Sequence, residues 1–154
     1  MRIERAAESD LAEVLRLVEL LRDELHDDDE FDGLDLGRTL DDLRREGDRF
    51  VALLARGEGG EAVAVLTLTE TFAIYAGGRY GVIDELYVAP PHRSAGVGRL
   101  LLEAAAAVGR ERGWRRIDVT APAGERWRRT VAFYERNRFV FTGPKLRRTL
   151  SDGI

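Results

Sequence analysis

The sequence contains no cysteine, which excludes disulfides, thiolate metal sites, iron–sulfur clusters and a covalent cysteine acyl-enzyme. Histidine is nearly as scarce. His26 and His92 are the only two, too few for a histidine-built metal centre and poor material for a Ser-His-Asp triad. No run of about 18 apolar residues is present, so no transmembrane helix is expected. The charged opening MRIERAAESD also lacks the apolar stretch of a secretory signal. These absences predict a cytoplasmic protein that uses neither a metal nor a membrane. What is present is ordinary for a globular fold: 44% of the 154 residues are hydrophobic and 34% are charged. That supplies one domain, residues 1–154, with enough apolar side chain for its own core.

Charge is divided between the halves. Residues 1–78 carry 9 arginines against 20 acids, whereas residues 79–154 carry 14 arginines and one lysine against 8 acids. Such asymmetry suggests regions that meet partners of opposite sign; solvation of charged helix faces is the plainer alternative. The basic residues of the second half are almost all arginine, whose planar fork suits bidentate phosphate contact. A nucleic-acid surface is disfavoured by the net charge of -4.

Hydrophobic periodicity outlines the elements. Residues 2–6 read as a short strand, followed by a helix capped by Ser9 or Asp10, with Leu11, Val14, Leu15, Val18, Leu21 and Leu25 at helical spacing. An acidic stretch from Asp23 to Asp35 holds eight carboxylates and no arginine or lysine. A second helix is predicted over 37–45, then strands over 50–55, 62–74 and 80–88 separated by glycine turns. A long helix over 96–112, a strand over 115–120, a helix over 125–137 and two short strands in FVFTGPKLRRTL complete the chain. The predicted class is α/β (α+β), in the order β-α-α-β-β-β-α-β-α-β-β, with a βαβ crossover between Tyr80 and Thr120.

The stretch with the most chemical content is VIDELYVAPPHRSAGVGRLLLEAAAAVGRERG. A hydrophobic strand enters a loop that sets Arg93, Gly96 and Gly98 at the start of a helix. Glycines admit close approach to the backbone, and free amides with the helix dipole favour an anion there. Arg93 and Arg99 flank the turn as phosphate partners; a purely structural turn is the alternative. A P-loop is excluded, because no Gly-Lys-Ser/Thr closes the turn. A Rossmann fingerprint is excluded by Leu101 at the third glycine position.

The pattern Arg-x-x-Gly-x-Gly after a strand ending Leu-Tyr-Val-x-Pro resembles the acyl-CoA signature of the GNAT N-acetyltransferase superfamily. Downstream, RTVAFYERNRFVFTG resembles that family's last helix and strand, with a tyrosine near the helix end. The resemblance covers essentially the whole chain. It implies the GNAT fold, a mixed six- to seven-stranded sheet flanked by about four helices. It also implies acetyl-CoA as donor, bound through the loop amides of Ser94, Ala95, Gly96, Val97, Gly98 and Arg99, with Arg93 at the entrance. The backbone of Leu86, Tyr87 and Val88 would take the pantetheine arm by strand addition, the Leu86 amide polarising the thioester carbonyl.

The reaction implied is direct attack of a primary amine on the thioester in a ternary complex. Tyr134 matches the tyrosine that protonates the departing thiolate; a core tyrosine beside Phe133 is the alternative. For the base, Glu85 is preferred and Asp118 is second. Strand alternation lets only one of Asp84 and Glu85 face the site. Two departures stand out: Trp127 or a neighbour replaces a common asparagine, and Arg138 replaces a common glycine, for which a left-handed Asn137 would compensate. The acidic stretch suggests a cationic acceptor such as a polyamine, aminoglycoside or basic peptide. Phe31, Phe72 and Tyr75 are candidate pocket residues, and His26 reads as a surface residue. A non-catalytic acyl-CoA-binding regulatory domain is the competing function. It would be expected to lose Tyr134 and the carboxylates, which are present. Dimerisation is common in the family, and the terminal strands are candidate interface elements for a homodimer.

Overall fold

The structure is a computed structural model that describes residues 1–25, 35–122 and 124–150. The described residues fall into two compact units, Met1–Val119 and Thr120–Ile154.

The first unit is built on a five-stranded sheet whose order in space is the order in sequence. Its strands are β1 (Arg2–Arg5), β2 (Phe50–Arg56), β3 (Ala62–Ala73), β4 (Gly78–Val88) and β5 (Ile117–Val119). The first four pair antiparallel, and β5 joins β4 in parallel after the predicted crossover. That crossover is α3 (Val97–Arg112); α1 (Leu11–Leu25) and α2 (Leu36–Glu46) lie between β1 and β2 in sequence.

The boundaries of α2 and the start of α1 have local causes. Asp35 Oδ1 accepts the Arg38 amide at 3.0 Å and opens α2, which Gly47 ends with φ 57°. The start of α1 differs from the expected Ser9 or Asp10 cap. A 3-10 turn over Glu8–Asp10 precedes it, and Asp10 reaches back to the Ala7 amide at 2.8 Å. The carboxylate therefore serves the first turn from inside rather than from the cap position.

The two faces of the sheet are sorted by alternation. Val14, Leu17 and Val18 of α1 pack with Ala52, Leu54, Val65 and Tyr87 on one face. The other face presents Leu53, Leu66, Leu68 and Ile83, all buried, and α3 packs on β2, β3 and β4 with Leu101, Leu102 and Ala105 buried. Arg56 fastens β2 to β1 and to the start of α1: its guanidinium meets Glu4, Asp10 at 3.2 Å and Glu13 at 3.0 Å.

Two expectations are corrected. Five strands form among the described residues instead of six or seven, because residues 139–150 adopt no regular structure. Within its own unit that segment has no strand to pair with, and a lone strand leaves its backbone groups unsatisfied. Val140, Phe141, Leu146 and Leu150 are accordingly exposed. The second unit's regular element is α4 (Arg128–Arg136), entered by a 3-10 turn over Glu125–Trp127. Asn137 does not take the left-handed conformation: Arg138 does, with φ 75°, while Asn137 Nδ2 donates to the Phe133 carbonyl at 2.8 Å. The amide side chain thus satisfies an end-of-helix carbonyl and leaves the reversal to the next residue.

Candidate active site

The centre of β4 is irregular. Thr67 pairs with Glu85 and Leu68 with Ile83, so Asp84 is the extra residue of a β-bulge. A bulge breaks strict alternation, and the consequence is direct. Thr67 and Thr69 project from one face of β3, and their hydroxyls donate to Glu85 Oε1 and Asp84 Oδ2, both at 2.6 Å. The expectation that only one of the two carboxylates reaches this face is therefore wrong.

Their environments differ. Asp84 is exposed, whereas Glu85 is half-buried. Burial raises the Glu85 pKa above the usual carboxylate range; the Thr67 hydrogen bond opposes this and the Asp84 charge adds to it. A carboxylate shifted upward in this way suits general base work near neutral pH better than an ordinary one. Asp118 lies on the same face, beside Val82. It pairs with Arg116 at 3.4 Å, and the Arg116 guanidinium lies 4.9 Å from the Tyr75 ring centre and 4.8 Å from that of Tyr80. Asp118 is thus an ion-pair partner in an aromatic–cation stack. Phe72 and Tyr75 are largely exposed, and Phe31 and His26 lie outside the described residues, as does most of the acidic stretch.

The bulge also changes which backbone groups face outward. Before it, Gly81 donates its amide to the Arg116 carbonyl at 3.2 Å, toward β5. After it, Ala89 donates to the Val63 carbonyl at 2.9 Å, toward β3. Alternation then turns the amides and carbonyls of Leu86 and Val88 to the β5 side and those of Tyr87 to β3. Pairing with β5 ends at Ile83 and Val119. Leu86 and Val88 therefore lie on an edge without a strand partner among the described residues.

The chain then enters the glycine loop. Ser94 and Gly96 are both left-handed, at φ 64° and 83°. They fold the loop so that α3 begins at Val97 with no side-chain cap. The first intrahelical bond reaches back from the Leu100 amide to the Gly96 carbonyl, at 3.1 Å, leaving the Val97, Gly98 and Arg99 amides at the positive end of a 16-residue helix. Ser94, Ala95, Gly96 and Arg99 are exposed and Val97 is buried. Arg93 is placed differently from a free phosphate partner. Its Nε donates to the Val88 carbonyl at 2.7 Å, its terminal nitrogen meets Glu24 at 2.5 Å, and it lies over the Tyr87 ring. It ties the loop to β4 and α1.

In the second unit Tyr134 is buried, with the rings of Phe133 and Phe139 edge-on at 5.3 and 5.4 Å. Burial pushes its pKa up to about 12, so the phenol holds its proton throughout the neutral range. Sequence reasoning missed Thr67 and Thr69. The alternating threonines in TLTET were a visible signal, but their partners depend on the bulge.

β4 thus ends in an edge without a strand partner among the described residues and leads into a helix start without a side-chain cap. The family model described as "Acetyltransferase (GNAT) family" matches residues 14–139, across both units. The chain belongs to the GNAT acetyltransferase family. Among solved structures, an aminoglycoside acetyltransferase, meta-AAC0020, from an uncultured soil metagenomic sample superposes with TM-score 0.80 at 22% identity, covering 97% of this chain and 96% of that one. The aminoglycoside antibiotic 6'-N-acetyltransferase AAC(6')-Ih from Acinetobacter baumannii gives TM-score 0.75 at 18% identity, with 99% of each chain covered. A ribosomal-protein-alanine N-acetyltransferase from Brucella melitensis biovar Abortus 2308 gives 0.73 at 21%, covering 97% and 100%. No curated protein matches the chain. Among the described residues no helix is long and apolar enough to cross a membrane.

Proposed function

We propose that this N-acetyltransferase moves an acetyl group from acetyl-CoA to a primary amine carried on a cationic acceptor. The observation that carries the donor half is the edge at Leu86 and Val88, whose outward amides are where a pantetheine chain would add as a strand. The residues fit that ligand. The left-handed Ser94 and Gly96 open the loop, and the Val97, Gly98 and Arg99 amides are free to meet a pyrophosphate. Arg93 occupies the Val88 carbonyl on that edge and ties the loop to β4, leaving the Leu86 and Val88 amides for the ligand.

The donor supplies an acyl carbon activated as a thioester. Glu85 accepts a proton from the amine as its nitrogen bonds to that carbon, and the Leu86 amide hydrogen-bonds the carbonyl oxygen as charge collects there. The carbon–sulfur bond then breaks, and the neutral Tyr134 phenol gives its proton to the sulfur. Glu85 releases the amine's proton to solvent, and Tyr134 takes a replacement proton from solvent. The acceptor half rests on three carboxylates on one face of the sheet, Asp84, Glu85 and Asp118, and on the acidic stretch of the sequence. Solved structures of the same fold are an aminoglycoside acetyltransferase and a ribosomal-protein-alanine N-acetyltransferase.

The deciding measurement is the melting temperature with and without acetyl-CoA. At a ligand concentration near 100 times the dissociation constant, linkage contributes about 2.7 kcal/mol, roughly 5–10 °C for a chain of this size. A shift of that order supports the donor and opens a screen of amines by coenzyme A release. No shift in a folded sample would reduce the loop to a turn and overturn the proposal.

A further inference from the structure

We propose that Thr67 is the positioning residue of the reaction, orienting the Glu85 carboxylate through a hydroxyl that is itself fixed by the β4 backbone. The inference rests on the reading of Glu85 as base. Thr67 is buried, at 1% exposure, and is the one buried polar side chain in the described core. Its Oγ1 makes two bonds to the same residue. It accepts the Glu85 amide at 3.1 Å and donates to Glu85 Oε1 at 2.6 Å.

The bond order matters chemically. A hydroxyl has one hydrogen to give. Because the amide can only donate, it occupies a lone pair of Oγ1 and leaves the hydroxyl hydrogen directed at the carboxylate. That hydrogen is useful to an ionised Glu85 and less so to a protonated one. Thr67 therefore resists the effect of burial, keeping a half-buried carboxylate available to take a proton while fixing where its oxygen sits. Thr69 holds Asp84 by its hydroxyl at 2.6 Å, but on an exposed side chain.

Other charge around Glu85 is limited. From its own strand the acting group is Asp84. On β5 the charged residue of this face is Asp118, already paired with Arg116 just before the strand. On β3 this face offers Thr67 and Thr69, on β2 it offers Ala52, and α1 packs it with Val14, Leu17 and Val18. Burial, the Thr67 hydroxyl and the Asp84 charge are the influences that set the Glu85 carboxyl, and none of them is a cation.

The test uses the full chain and three variants, Thr67→Val, Thr67→Ser and Glu85→Gln, with two readouts. Carbon-detected NMR follows the Glu85 carboxyl through a pH titration without turnover. The kcat/KM profile against pH is taken with acetyl-CoA and a primary amine. In Thr67→Val the Glu85 titration and the acid limb of the profile move together to higher pH. Activity on the acid side then falls about tenfold, the worth of one hydrogen bond to a charged group, while the alkaline plateau is retained. Thr67→Ser, which restores the hydroxyl, returns both to their original positions. A merely structural role would lower the whole profile without moving its limb, and an unmoved Glu85 titration in Thr67→Val overturns the inference. Glu85→Gln separates the two readings. Loss of the limb in that variant, with no movement in Thr67→Val, sinks the positioning role alone. Survival of the limb in Glu85→Gln removes Glu85 as base, and the positioning role with it.

Discussion

Tyr134 shows how one side chain's surroundings decide its chemistry. Packed between Phe133 and Phe139, it has its pKa raised by burial alone to about 12. A phenol so shifted keeps its proton throughout the neutral range and so has one to give, while the same burial makes it a weaker acid than a solvated tyrosine. Tyr134→Phe keeps both ring contacts and deletes only the hydroxyl. Turnover is expected to fall about 100-fold, within the range of general acid contributions, with acetyl-CoA affinity unchanged by calorimetry. Wild-type turnover in that variant would return Tyr134 to the role of a packing residue. The contrast with Glu85 is instructive, since the same physical cause leaves the tyrosine protonated and makes the carboxylate a stronger base.

In the first unit β3, β4 and α3 are fastened by a second set of contacts. Gly81, at the start of the parallel β4–β5 pairing, lies so close to Trp114 that a Cβ there would stand 2.3 Å from the indole ring. The indole N–H donates to Glu70 Oε2 at 2.8 Å, and Glu70 also pairs with Arg79 at 3.1 Å and Arg112 at 3.4 Å. One carboxylate of β3 thus joins the end of α3, the start of β4 and the residue leading to β5. The Trp114 hydrogen bond, with help from the two arginines, holds the Glu70 pKa below its ordinary value. A depressed carboxylate pKa adds stability above the unfolded-state value, and that contribution disappears as pH falls through the folded-state value. Glu70→Gln should therefore melt lower than the wild type at pH 7, and the gap should close in melts carried down toward pH 3. A gap independent of pH would mean that Glu70 acts by shape alone.

This hub was not legible in the sequence, because Glu70, Arg79, Arg112 and Trp114 meet through tertiary pairing and no local pattern announces them. The helices and the β4–loop–α3 unit were legible, since caps, glycines and apolar spacing are local signals. Of the candidate site, the loop showed in its glycines, whereas Glu85 was preferred through the family resemblance and its place on the strand, not through a local signal. The joint orientation of Asp84 and Glu85 could not be read, for it depends on a bulge whose register only the β3 partner fixes. The strands expected in FVFTGPKLRRTL failed for a related reason: β-propensity describes a strand that has a neighbour, and residues 139–150 have none within their unit.

At the scale of the whole molecule, the uneven charge acquires a direction. Residues 1–78 are strongly acidic and residues 79–154 basic, yet the net charge of -4 makes the molecule as a whole a weak attractor for either sign. On the proposed function steering must then be local, with the polyanionic donor drawn to the arginines around the glycine loop and a cationic acceptor drawn to Asp84 and Glu85 of that same half and to the acidic residues of the other. Local steering by exposed charge is screened by salt, with a Debye length near 10 Å at 0.1 M and near 3 Å at 1 M. KM for a polyamine acceptor should therefore rise several-fold between low and high salt, while KM for a neutral-bodied monoamine of similar size should change little. Steady-state kinetics at saturating acetyl-CoA across a salt series measures both. Equal salt dependence for the two amines would assign the acidic half to solvation and leave the acceptor to be chosen by shape. A selective rise would place the acceptor's charge among the features the protein reads, and would make the number of cationic centres on the amine the next variable to change.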